Sequence, residues 1–109
     1  MSDVVVVLTT VPDGELAESL ARTLVEEKLA ACVNLLPPMT SIYRWQGAVE
    51  RSTERQMIIK TRSSALAALQ SRLVELHPYE LPEFVVIDVD SGSRDYLAWV
   101  LRETSDAHQ

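Results

Sequence analysis

The chain has 109 residues, 47% of them hydrophobic, and a formal net charge of −6. That length bounds it to one domain, 1–109, with apolar material enough for a core of its own. Its acidic balance and scattered Lys and Arg exclude a nucleic-acid partner, and a sole cysteine, Cys32, excludes an intrachain disulfide framework and suits a reducing compartment.

The start, Met1-Ser2-Asp3, is acidic where a signal peptide would be basic, and the apolar run Val4 to Leu8 is too short for a membrane span. A cytoplasmic protein with no membrane partner is expected. Val4 to Thr10 is β-branched and almost wholly apolar, the pattern of a central strand, and Pro12-Asp13-Gly14 stops it. Asp13 is positioned to cap a helix whose apolar stripe is Leu16, Leu20 and Leu24, running to about Lys28, with Glu15 and Glu18 favouring its N-terminal dipole.

From Cys32 the chain turns extended again. Pro37-Pro38 cannot donate to a ladder, so this second strand is an edge strand or is bent there. Met39 to Trp45 resumes it, and Gln46-Gly47 offers a hairpin tip tolerant of positive φ. The return strand runs from Ala48 to about Arg62. Ser63 is a candidate cap for a second helix with the stripe Leu66, Leu69, Leu73 and Leu76, which His77-Pro78 ends because the residue before proline leaves helical conformation. Phe84 to Val89 is the last strand. Ser91-Gly92-Ser93 leads into a C-terminal helix carrying Tyr96, Trp99 and Val100, and the tail from Ser105 to Gln109 is expected to fray.

These elements predict an α+β fold: a ferredoxin-like βαββαβ arrangement with a long hairpin between its second and third strands and a C-terminal helix. A turn at Gln46-Gly47 pairs Trp45 with Ala48, Tyr43 with Glu50 and Ser41 with Ser52. Arms of ~14 residues would reach about 50 Å, whereas the covering helices span only ~22 Å. Half the hairpin then projects beyond its own core while carrying Ile42, Tyr43, Trp45 and Val49. An unsupported hairpin is marginal in water, so a second subunit is expected to cover it. The alternative is a partly polar arm with a few exposed aromatic rings, because Arg44, Glu50, Arg51 and Glu54 lie there too.

Several strings resemble the CutA, or divalent-cation tolerance, family. They are Ala30-Ala31-Cys32-Val33-Asn34, Thr40-Ser41-Ile42-Tyr43-Arg44-Trp45-Gln46-Gly47, Gln56-Met57-Ile58-Ile59-Lys60-Thr61-Arg62, His77-Pro78-Tyr79-Glu80-Leu81-Pro82-Glu83 and Tyr96-Leu97-Ala98-Trp99. Together they cover essentially the whole chain in one order. The resemblance implies a cytoplasmic homotrimer whose sheets pair across subunits, similar in build to the PII signalling proteins. It also implies tolerance to divalent cations, copper binding, and no established catalytic activity. One departure is Thr9, which stands where some bacterial members have a cysteine, so a metal role there does not carry over.

Cys32 and His77 are the candidate ligands for copper or another divalent metal ion, His108 lying in the tail. Each also has a structural reading, a small hydrophobe for Cys32 and a helix-end hydrogen-bonder for His77. No spacing closes a tetrahedral site within one chain. A second constellation is Tyr43, Trp45, Lys60, Tyr79 and Glu83, with Glu83 the expected carboxylate partner of Lys60. It reads either as packing and an ion pair at a subunit interface or as a ligand pocket there. No spacing suggests a nucleophile with its base. The expected function is thus non-enzymatic: a homotrimer that binds metal ions. The alternative is a PII-like sensor of a small anion or nucleotide, weakened because Gly14, Gly47 and Gly92 form no phosphate-cradling loop.

Overall fold

The computed structural model describes residues 2–105; Met1 and residues 106–109, which include His108, lie outside the described residues. Strand β1 (Val4–Pro12) is followed by helix α1 (Glu15–Glu26), β2 (Cys32–Leu35), β3 (Met39–Trp45), β4 (Ala48–Arg62), a short 3-10 turn (Ser63–Ala65), α2 (Leu66–Leu76), β5 (Val85–Asp88) and α3 (Arg94–Glu103). All strand pairs are antiparallel, in the order β2-β4-β1-β5, with β3 also on β4. This is the α+β, ferredoxin-like arrangement expected from the element order.

Strands β2 and β3 share one edge of the sheet. Cys32–Leu35 pair with Met57–Lys60 of β4, and Met39–Trp45 pair with Ala48–Glu54. Between them, Pro37-Pro38 interrupt the ladder because they have no N–H to give. The Leu36 amide still donates to the Gln56 carbonyl at 3.0 Å. The second strand is therefore both an edge strand and a bent one.

Alternation along β1 decides the core. Val5, Val7, Thr9 and Val11 are all at most 2% exposed, and Val7 and Val11 pack with Leu20, Leu24, Met57, Ile59, Leu69 and Leu73 beneath α1 and α2. Val4, on the other face, packs with Ala31 and Val100, backed by Leu97 and Trp99 of α3. Helix α3 thus covers only one end of that face.

Two caps differ from expectation. The N-cap of α1 is Gly14, at φ 140, with no side-chain hydrogen bond from the expected Asp13; that backbone conformation favours glycine and places Asp13 one residue too early. Lys28, at φ 60, then turns the chain so that α1 ends at Glu26. Ser63 caps nothing with its side chain, since a 3-10 turn intervenes before α2. Instead its amide donates to the Asp3 carbonyl at 2.8 Å, prolonging the β1–β4 pairing. At the C-terminal end of α3, the Ser105 hydroxyl donates to the Arg102 carbonyl; the rest of the tail expected to fray, residues 106–109, lies outside the described residues.

The hairpin register is the expected one, Trp45 opposite Ala48 through to Ser41 opposite Ser52. Gln46 and Gly47 both have positive φ, 49 and 82, so the turn's twist matches that of its strands. Strand β1 ends with Pro12 opposite Glu54, so among the described residues no third strand lies beside the rows beyond Glu54. The molecule is accordingly elongated, 44 × 25 × 23 Å.

Candidate functional site

At the base of the projecting hairpin, a short loop crosses the sheet and closes one side of a cleft. Its path follows from His77-Pro78. His77 has φ −83 and ψ 136, extended backbone that ends α2. Its Nε2–H donates to the Thr10 carbonyl at 2.7 Å, and its Nδ1 accepts the Tyr79 amide at 3.1 Å. A carbonyl can only accept and an amide N–H only donate, so these two bonds set one neutral tautomer. The Tyr79 ring packs on the imidazole, with centroids 4.6 Å apart.

Tyr79 in turn reaches the hairpin. Its hydroxyl donates to Glu54 Oε2 at 2.7 Å, and Glu54 is buried at 7% exposure. Burial first, and then this hydrogen bond, push the Tyr79 phenol above its ordinary range. Two residues along β4, Gln56 Nε2 donates to the Thr9 carbonyl at 2.7 Å and to Glu83 Oε2 at 3.2 Å. The far end of the loop is thereby tied down as well. The cleft between loop and hairpin has a volume of about 830 Å³, and Tyr43, Trp45, Glu54, Gln56, Tyr79 and Glu83 are among its lining residues.

Four of the five residues of the aromatic constellation are therefore brought together: Tyr43, Trp45, Tyr79 and Glu83. Lys60 is not. It lies four residues beyond Gln56, ~13 Å along the strand, with its Nζ 5.8 Å from the centroid of the Tyr96 ring. Within one chain Lys60 and Glu83 do not pair: Glu83 accepts from Gln56, because the loop crosses the sheet about four residues of β4 away from Lys60.

Cys32 and His77 are held apart within one chain. Cys32 is half-buried opposite Lys60, with its Sγ 4.0 Å from Asn34 Oδ1. His77 is anchored at Thr10, whose partner on β4 is Gln56. Their attachment points are again ~13 Å apart along the sheet. Both His77 nitrogens already have partners, and among the described residues no three His, Cys, Asp or Glu side chains gather where they could hold a metal ion.

Glu54 and Gln56 were not singled out by sequence, although they organise the cleft. A signal was present: β4 alternates, with Met57 and Ile59 on the helix-covered face and Glu54 and Gln56 on the other. Nothing local to that strand marks Glu54 as buried, because its cover comes from Tyr79.

The CutA1 family model, described as the divalent ion tolerance protein, matches residues 5–103. The chain is 48% identical over 99 residues to the divalent-cation tolerance protein CutA of Thermus thermophilus, covering 91% of this chain and 96% of that protein. Its structure is similar to the crystal structure of CutA from Xylella fastidiosa, with TM-score 0.92, 45% identity, and 95% of this chain and 100% of that one covered. It is also similar to the periplasmic divalent cation tolerance protein CutA of Archaeoglobus fulgidus, with TM-score 0.89, 35% identity, and 94% and 99% covered. The chain belongs to the CutA1 family of divalent ion tolerance proteins.

Proposed function

We propose that this protein serves divalent-cation tolerance as a cytoplasmic, non-enzymatic homotrimer that binds copper or another divalent ion. The observation that carries the assembly is the apolar surface left at the two edges of the sheet. On the hairpin, Ile42 is 70% and Val49 64% exposed, and on β5 Val85, Val86 and Ile87 are 41–48% exposed. Among the described residues, β3 pairs with β4 alone and β5 with β1 alone. Unpaired apolar edges favour strand-to-strand association. Edge of one subunit against the opposite edge of the next is a head-to-tail contact that closes into a ring when the rotation allows.

The metal part of the proposal requires that assembly, because a single chain does not bring Cys32 and His77 together. Thiolate and imidazole suit Cu(I), Cu(II) or Zn(II), and three chains multiply each ligand by three. The test is light scattering followed by copper stoichiometry on the purified protein. Three chain masses are expected, with Trp45→Glu shifting mass towards the monomer and Cys32→Ser or His77→Ala lowering bound copper. A folded species of one chain mass would refute the assembly. Parent-like copper binding by both variants, while trimeric, would remove Cys32 and His77 as ligands.

A further inference from the structure

Glu54 is a carboxylate more than nine-tenths buried, and buried charges ordinarily have a charged partner or several hydrogen bonds. Its side chain has one hydrogen bond, from the neutral Tyr79 hydroxyl, and forms no ion pair with another described residue. Glu80 and Glu83 line the same cleft, and the partner of Glu83 is the uncharged Gln56. Nearby cations are engaged elsewhere: Arg51 with Thr40, Arg55 with the Leu36 carbonyl, and Lys60 over Tyr96. Arg44 borders the cleft, but strand alternation turns its side chain to the face of the hairpin opposite Tyr43 and Trp45. The lining includes Tyr43, Trp45 and Tyr79, and the π face of an aromatic ring attracts positive charge.

We propose that the cleft between the hairpin and the 78–83 loop binds a small organic cation, an alkylammonium group seated among Tyr43, Trp45 and Tyr79 against the Glu54 carboxylate. A bare metal ion fits this cleft poorly. Its carboxylates do not converge as a set of three donors, and Glu54 and Glu83 each already accept a hydrogen bond. A volume of about 830 Å³ lies in the size range of small-molecule sites. Aromatic walls solvate an alkyl chain, while the buried carboxylate supplies the charge that an ammonium head needs. The cleft uses neither metal candidate as a ligand, although Tyr79 packs on His77 and Trp45 is shared with the assembly reading.

The test uses the assembled protein and two probes of similar size, butylammonium and the uncharged 1-pentanol, which is one methylene longer. Calorimetry is expected to show saturable butylammonium binding, at least tenfold tighter than pentanol, a difference of about 1.4 kcal/mol. Nuclear magnetic resonance shifts should centre on Tyr43, Trp45 and Tyr79. Glu54→Gln keeps an acceptor for Tyr79 but removes the charge, and should weaken butylammonium at least tenfold while leaving pentanol unchanged. If Glu54→Gln does not fold, Glu83→Gln takes its place and should weaken butylammonium several-fold. Equal binding of both probes, or parent-like binding by the folded variant, would overturn the proposal. So would no binding at all in the assembled protein.

Discussion

Replacing Tyr79 with phenylalanine removes a single oxygen, and with it the hydrogen bond at 2.7 Å to the buried Glu54 carboxylate. The ring and its packing on His77 are kept, so the loss is confined to one bond. Hydrogen bonds to charged groups contribute about 1.5–3 kcal/mol, and a buried carboxylate left without its donor adds to the cost. We expect Tyr79→Phe to destabilise the protein by ~2–3 kcal/mol, read as a lower denaturation midpoint at fixed protein concentration. Glu54→Gln supplies the control. In a double-mutant cycle the two substitutions should be coupled by more than about 1 kcal/mol, since either one dissolves the same charged bond. The pH dependence follows from the raised phenol. A raised acid contributes stability that is complete below its unfolded value, near 10, and is lost as pH climbs towards its folded value. Parent protein should therefore weaken in alkali above pH ~10 more steeply than Tyr79→Phe does. A variant within about 0.5 kcal/mol of the parent, or two additive substitutions, would refute the view that this bond holds the cleft together.

Two further predictions address the scaffold. Arg72 donates to both Glu27 oxygens at 2.8 Å, tying α2 to α1 and holding the Glu27 carboxyl below its ordinary range. A lowered acid contributes above its unfolded value and loses that contribution as pH falls, so the melting temperature of Glu27→Gln should sit below the parent's at pH 7 and approach it as pH falls through and below the ordinary carboxylate range; because the pair is exposed, molar salt should narrow the gap as well. Gly47 has φ 82, and a methyl group placed on its Cα would meet no atom within 4 Å, so the cost of Gly47→Ala is conformational alone. Thermal melting should show a loss of about 1 kcal/mol, and an unchanged melt would place the turn outside the cooperative unit.

Much of this architecture is local chemistry and is legible along the chain. The span of β4, the pairing of Trp45 with Ala48, and the end of α2 at His77-Pro78 each follow from residues within a few positions of one another. A turn dipeptide sets a hairpin register, and a proline excludes its predecessor from the helix. The family resemblance is legible for the same reason, since it lies in contiguous strings. Other features exist only once the sheet has formed. Asp13 gives way to Gly14 as the N-cap, at a φ of 140 that glycine tolerates. Within one chain Lys60 and Glu83 are held apart, a separation set by the register of β1 on β4. Glu54 looks like any charged residue of a solvated arm until Tyr79, 25 positions further on, covers it. Burial of a charge is decided by what lands on it, and the loop that lands there is placed by the packing of α2 and by one histidine bond to Thr10.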